Sequence, residues 1–399
     1  MRVLFAYFQQ FVNRSGGMEH VCCELANAMT ARGYHADIVY ASPVEGRPFY
    51  PVSEDVHLYN LFHLHREEPF DSGKYISRTE KIWRECIRIF RKDKIPEWNA
   101  ARKNLKYYWL FEPVYTAVKP DVIISFEPQS TAVVLRGKNA MPPVITMMHF
   151  NPEILLNRET TAGEREGIVK SRFVQVLMPS YQKKVQAMFP AAHVVCIPNA
   201  VPQYTKHVDL TREKDVYTIV NVARIDKKQK QQHLLVQAFA RLASEFPNWR
   251  LELWGEEQKS HAYTEELQHF IQFHHLERQV SLCGVTDDVA AVYRRADIFG
   301  FPSAYEGFPL AMTEAMSAGL PVIGLKTCPA VNEIVEDGKT GFLADADPQD
   351  LAEKLKFLMQ HHRERVQMGH EAYMAMERYT PDLVWNQWDH LLHGSIGKI

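Results

Sequence analysis

The sequence predicts an α/β protein of two domains, each a doubly wound, Rossmann-like parallel sheet. Three observations lead there. At 399 residues the chain exceeds what one hydrophobic core ordinarily organises, so two domains are expected. Short Val/Ile/Leu-rich runs alternate with helical patterns over nearly the whole length, as parallel strands covered on both faces would. The series then restarts after Ile197-Pro198-Asn199-Ala200-Val201-Pro202, where two prolines around an asparagine suit a hinge. The predicted domains are 1–200 and 203–379.

In the first domain the strand candidates are 3–8, 36–40, 121–126, 144–148, 174–178 and 194–197. The apolar opening stops at Gln9-Gln10. It is too short for a signal-peptide core, lacks a small-residue cleavage site, and reads as a buried first strand. In the second domain the candidates are 217–222, 250–254, 280–283, 298–301, 321–324 and 341–343. Ligands of open α/β sheets sit beyond the carboxyl ends of the strands, so function is expected in the strand-to-helix loops.

One region breaks the alternation. Residues 74–108 hold eleven basic and four acidic residues, a net +7. Within it Ile82, Trp83, Cys86, Ile87 and Phe90 share one helical face, and Lys81, Arg84, Glu85, Arg88 and Arg91 the other. Such a helix either packs on the first domain with a solvated basic face or lies on an anionic membrane surface. The neighbouring Trp98, Tyr107, Tyr108, Trp109 and Phe111 extend the second reading to 74–111.

Composition narrows the function classes. An apolar share of 46% and a charged share of 24% describe a soluble globular protein rather than a disordered or fibrous one. Lys+Arg 46 against Asp+Glu 48 leaves a formal charge of -2, which argues against a globally basic nucleic-acid binder. No apolar run approaches the roughly 20 residues of a spanning helix. The six cysteines include no C-x-x-C and no zinc spacing, so reduced thiols are expected. The expected location is the cytoplasm, or the inner face of the cell membrane.

The chemistry is expected in Pro302-Ser303-Ala304-Tyr305-Glu306-Gly307-Phe308-Pro309-Leu310-Ala311-Met312-Thr313-Glu314-Ala315-Met316. This stretch follows a strand and reads forward as a helix with Pro309 in its first turn. Free backbone N–H groups and the positive end of the dipole suit a phosphate there. Glu306 and Glu314 lie eight positions apart, just over two helical turns, and carboxylates accept hydrogen bonds from hydroxyls. A sugar at one end, a ribose at the other and a diphosphate between them would use every one of these groups. Taken alone, two glutamates at this spacing would be solvated helix charges.

With its surroundings, the stretch resembles the retaining glycosyltransferases of family 4, which have the GT-B fold: two Rossmann-like domains facing a central cleft. The resemblance covers nearly the full length. Gly16-Gly17-Met18-Glu19, before a helix at 21–29, resembles the family's N-terminal Gly-Gly loop. Val222-Ala223-Arg224-Ile225-Asp226 with Lys230 resembles its phosphate-binding segment. Ile197-Pro198-Asn199 resembles the interdomain linker, and Glu333 to Phe342 the turn before the last strand. The ending from Tyr379 resembles terminal helices that cross back, at about 380–399, onto the first domain.

The resemblance implies a nucleotide-sugar donor, most simply UDP-linked and bound as substrate, with no cofactor. It also implies a saccharide acceptor, lipid-linked if the enzyme works at a membrane. Arg224 and Lys230 would face the diphosphate, where negative charge grows as the glycosidic bond breaks. Glu306 would hold the transferred sugar, Glu314 the ribose, and Leu310 and Ala311 would offer N–H groups. Gly307, Phe308 and Gly255 join this substrate-binding set, as do Gly16 and Gly17 on the other domain. His149 would stand beside the reacting sugar. Apart from the resemblance, Glu127 in Ser125-Phe126-Glu127-Pro128 also ends a strand, a place from which it would orient the acceptor hydroxyl. Other readings are a sugar-nucleotide epimerase of the same fold and an inactive donor-binding subunit.

Two departures from the family pattern stand out. Many members carry Gly where this chain has Pro309, which lacks an N–H, so one contact is lost or moves to a neighbour. The Arg224–Lys230 spacing is one residue longer than the commonest, so Lys230 is chosen over Lys228. Asp345-Ala346-Asp347 has a metal-binding form, but its place before a helix near Gln349 predicts capping, and no metal requirement is expected.

Overall fold

The structure, a computed structural model, describes residues 1–64, 77–91, 95–137, 141–157, 160–257 and 260–396. The chain divides into two compact units, Met1–Pro198 with the segment from Trp385, and Asn199–Val384.

The first unit is built on a seven-stranded sheet. Its strands are β1 (Arg2–Tyr7), β2 (His35–Tyr40), β3 (His57–Asn60), β4 (Val122–Ser125), β5 (Val144–Met148), β6 (Phe173–Val176) and β7 (Val194–Cys196), in the order β3-β2-β1-β4-β5-β6-β7. All pairs are parallel. Continuous apolar runs explain this: Val3, Leu4, Phe5 and Ala6 are all fully buried, which needs cover on both faces. β3 was not among the predicted strands. Its sequence, His-Leu-Tyr-Asn, lies at the sheet edge and is only partly buried, so it carries no apolar run to read.

The second unit has a six-stranded sheet of β8 (Tyr217–Val222), β9 (Trp249–Trp254), β10 (Val280–Gly284), β11 (Ile298–Phe301), β12 (Val322–Leu325) and β13 (Gly341–Ala344), in the order β10-β9-β8-β11-β12-β13. Again every pair is parallel. The predicted doubly wound α/β class is therefore the one observed.

Helix Pro381–Ile396 begins in the second unit and ends in the first, where Trp388 is buried and Arg32 Nε donates to Asp389 Oδ2 at 3.0 Å. Asp347 caps helix Pro348–Gln360: its Oδ2 accepts from the N–H groups of Gln349 at 2.9 Å and Asp350 at 3.1 Å. Asp345 pairs with Lys326 at 2.6 Å. The Asp-x-Asp segment is thus engaged in capping and pairing.

The basic region forms two helices, Arg78–Phe90 and Ile95–Val118, while residues 74–76 and 92–94 lie outside the described residues. Tyr107, Tyr108 and Phe111, grouped by sequence with a surface patch, are buried against β1 and β4 residues such as Leu4, Ala6 and Ile123. They are core residues, because a 24-residue helix needs an apolar stripe to hold it on the sheet.

Candidate active site

In each sheet the strand order reverses at one point, between β1 and β4 in the first unit and between β8 and β11 in the second. Neighbouring strands there send their following loops apart, leaving a crevice at the carboxyl edge. The candidate residues collect at these two edges.

In the second unit, the loop after β8 carries Arg224 and Lys230, and the loop after β11 carries Glu306. Lys230 Nζ donates to Glu306 Oε1 at 2.5 Å, with the two side chains 14% and 8% exposed. The ammonium also lies 5.1 Å from the ring centroid of Phe301. Arg224 is exposed, and its Nη2 donates to Gln229 Oε1 at 3.2 Å. Gln229 Nε2 in turn donates to the Tyr305 carbonyl at 3.2 Å, and the N–H of Ala304 reaches the Gln229 carbonyl at 2.8 Å. The two loops are therefore stitched together through Gln229.

Asp226 gives the first loop its shape. Its Oδ1 accepts from the N–H groups of Lys228 at 2.9 Å and Gln229 at 2.8 Å, a side-chain mimic of a backbone turn. Gln232, fully buried, accepts from the Asp226 N–H at 3.2 Å and donates to the Arg224 carbonyl at 2.7 Å. Gln231 between them takes a φ of 49°, which turns the chain into helix Gln232–Ala240. Gln229 and Gln232 escaped sequence reading because they look like any polar loop residues, and Asp226 was read only as part of its motif, without this role.

Gly255, at the end of β9, has a structural reason. A Cβ there would stand 2.0 Å from the Ala223 carbonyl oxygen, and its φ is 136°. Only glycine lets the end of β9 pass so close to the segment that launches Arg224.

The stretch 302–316 differs from the expectation in three ways. Glu306 lies in the loop, and the helix is Leu310–Ser317, so only Glu314 of the two is helical. Their relation comes from the loop's path and not from a two-turn helical spacing. Pro309 stands before the helix with φ -82° and ψ 70°. These are inverse γ-turn angles, and the Leu310 N–H accordingly donates to the Phe308 carbonyl at 2.9 Å. The N–H expected from Leu310 is thus committed inside the protein, leaving Ala311 as the expected donor at the start of the helix. Phe308 is buried with its ring 5.5 Å from that of Tyr379, so its side chain packs rather than faces a ligand. Gly307 beside it is half-buried.

Glu314 is half-buried, and the hydroxyl of fully buried Tyr293 lies 3.3 Å from its Oε2 and 3.0 Å from the Ala311 carbonyl. Burial, reinforced by the Glu314 charge, holds the Tyr293 phenol far above its ordinary range, so it remains a donor. Ser303 Oγ is buried without a hydrogen-bond partner among the described residues. Cys328 is fully buried near the Glu306–Lys230 pair, and burial pushes its thiol well up, so it stays protonated.

In the first unit, Gly16 precedes helix Gly17–Ala31, which starts at the carboxyl edge of the sheet. A Cβ on Gly16 would lie 2.3 Å from Glu19 Oε2, so glycine leaves room for that buried carboxylate, which accepts from the Tyr7 hydroxyl at 2.8 Å. Glu127 follows β4 and is held from two sides: Gln9 Nε2 donates at 2.7 Å and Ser130 Oγ at 3.3 Å. His149 follows β5 and stacks on Phe126, with centroids 5.1 Å apart and planes 10° from parallel. Its Nε2 is buried without a hydrogen-bond partner among the described residues. Burial lowers its pKa to about 4, so the imidazole is neutral at physiological pH.

Residues 203–374 match the family described as glycosyl transferases group 1. An uncharacterized glycosyltransferase of Haemophilus influenzae is 24% identical over 97% of this chain and 99% of its own length. The amylovoran biosynthesis glycosyltransferase AmsD of Erwinia amylovora is 23% identical over 96% of this chain and 97% of its own. Among solved structures, a TarM variant from S. aureus in complex with fondaparinux, alpha-GlcNAc-glycerol and UDP superposes with a TM-score of 0.75. It is 15% identical and covers 98% of this chain and 100% of that one. Two parallel Rossmann-like sheets, a match to the group 1 glycosyl transferases over 203–374 and glycosyltransferase relatives along nearly the full length support a glycosyltransferase of the GT-B fold.

Proposed function

We propose that this enzyme moves a hexose or N-acetylhexosamine from a nucleotide sugar, UDP-linked, to a saccharide acceptor with retention of configuration and without a metal ion. The observation that carries the reading is the Lys230–Glu306 pair, 2.5 Å apart at the reversal point of the second sheet, with Arg224 on the same loop as Lys230 and held by Gln229. There an incoming diphosphate exchanges with Glu306 for the ammonium, and Glu306 is released toward the sugar hydroxyls. Arg224 adds a planar fork of donors for phosphate oxygens. Glu314, positioned by Tyr293, takes the ribose hydroxyls.

As the bond from the anomeric carbon to the phosphate oxygen breaks, charge accumulates on the diphosphate, where Arg224 and Lys230 stabilise it most. The acceptor oxygen bonds to the same face of that carbon, and its proton passes to the departing phosphate oxygen. This route asks for no protein nucleophile, and the protonated Cys328 nearby suits none. The first unit supplies the acceptor side: Glu127 orients the hydroxyl, and the Nε2 of His149 meets the sugar without adding charge. The UDP in the TarM complex and the amylovoran role in AmsD's name support a UDP donor and a place in polysaccharide assembly. The saccharide acceptor of this proposal is one carried on a lipid.

The test is a donor screen that follows release of nucleoside diphosphate with saccharide acceptors, with Glu306→Ala as control. UDP-sugar turnover that survives EDTA and fails in Glu306→Ala is expected. Turnover restored only by magnesium, a covalent glycosyl-enzyme adduct, or epimerised donor without acceptor would overturn the reading.

A further inference from the structure

We infer that the first unit docks on an anionic lipid surface through helix Arg78–Phe90. The inference concerns a surface and stands independently of the reaction proposed above.

The helix is started by a capping box, in which Ser77 Oγ accepts from the Glu80 N–H at 3.2 Å and Glu80 Oε2 accepts from the Ser77 N–H at 2.7 Å. It is therefore a formed, oriented element and not a frayed loop. An amphipathic helix normally turns its apolar stripe to the core. This one does the opposite. Ile82, Trp83 and Ile89 are 67%, 61% and 77% exposed, and Cys86 between them is also exposed. Glu80, Arg84, Glu85 and Ile87 are the half-buried positions, so Ile87, grouped by sequence with the exposed stripe, turns inward instead.

Charge decides what covers the stripe. Lys81 and Arg88 lie exposed along one side of it and Arg91 at its end, while the two acids on the helix are already engaged. Glu80 serves the cap and lies 3.4 Å from Arg102; Glu85 accepts from Arg84 at 3.0 Å and Arg88 at 3.2 Å. A second copy docked face to face would set cations against cations. A bilayer of anionic lipid satisfies both parts at once, taking the apolar side chains between headgroups while the long cationic stems reach the phosphates. Aromatic and aliphatic side chains bordered by Arg and Lys are the composition of an interfacial helix.

The experiment is co-sedimentation of the full chain with vesicles of phosphatidylcholine, with and without about one third phosphatidylglycerol. Binding at low salt is expected only to the anionic vesicles. Trp83→Ser/Ile89→Ser should weaken it at least about tenfold. Lys81→Gln/Arg88→Gln should weaken it about thirtyfold, since each cation near an anionic surface contributes about fivefold. Brominated phosphatidylglycerol should quench fluorescence more in the natural chain than in Trp83→Phe. Circular dichroism checks that each variant remains folded. The inference is overturned if anionic vesicles leave the protein in the supernatant, or if the Trp83/Ile89 variant binds undiminished. It is likewise overturned if sedimentation equilibrium shows a dimer that Trp83→Ser dissolves.

Discussion

Behind β8 and β11 the second unit sets its charges against each other, Lys230 against Glu306, with Arg224 tethered by Gln229. Behind β4 and β5 the first unit sets its candidates against an amide, a hydroxyl and an aromatic ring. Glu127 is oriented by an amide and a hydroxyl, and His149 stands uncharged on an aromatic ring with a buried nitrogen left over. The difference matches what each side would meet. A paired cation can exchange its carboxylate for a diphosphate without a naked buried charge ever forming. A neutral imidazole offers a hydrogen bond to a hydroxyl without adding charge. One edge holds a cation and a carboxylate in a pair, and the other a carboxylate and a neutral imidazole.

The largest effect should come from splitting the pair. Lys230→Met leaves Glu306 with its main cation removed and should cost about 3 kcal/mol of stability. Lys230→Met/Glu306→Gln should regain most of that in urea unfolding. Both should lose about 10²- to 10³-fold in turnover, read as nucleoside diphosphate release. A double variant no more stable than the single one would mean the two groups are not an energetic unit.

Arg224→Gln sharpens the same point from the exposed side. Turnover should drop about a hundredfold while stability stays within about 0.5 kcal/mol, because a solvated guanidinium contributes little to folding. An equal loss of stability would assign Arg224 to scaffolding.

For the first unit the measurement is pH. The folded pKa of His149, about 4, lies below the unfolded value of 6.5, so the unfolded chain binds the extra proton between them. Its destabilising contribution is absent above pH 6.5, grows as pH falls, and levels off below 4 at up to about 3 kcal/mol. Unfolding curves of the natural chain and His149→Phe should therefore diverge on acidification through that window, the natural chain losing more. Parallel curves would show the imidazole to be solvated.

Tyr293→Phe should have the smallest effect. Losing the hydroxyl 3.3 Å from Glu314 Oε2 frees that carboxylate's position, so KM for the donor should rise about fivefold with kcat changed less than twofold. Steady-state kinetics against donor concentration separate the two.

Twelve of the strands now seen were legible as apolar runs, because a strand buried on both faces must spell its burial out in Val, Ile and Leu. β3 was not, since an edge strand can be polar. The motif at 302–316 pointed to Glu306 and Glu314, but helical arithmetic misplaced Glu306. Nothing local says that Pro309 closes an inverse γ-turn instead of opening the helix. Tyr107, Tyr108 and Phe111 carry the same letters as a membrane patch, and only the sheet beneath them made them core.

The sequence by itself determined the layered architecture, the strand order's raw material and which loops hold charge, because periodicity and residue type act over a few neighbouring positions. The tertiary structure alone decided which charges meet. Lys230 and Glu306 are 76 positions apart and become partners only because β8 and β11 are adjacent where the sheet order reverses. It also decided that helix Arg78–Phe90 turns its apolar stripe outward, a choice that depends on what the rest of the unit leaves uncovered.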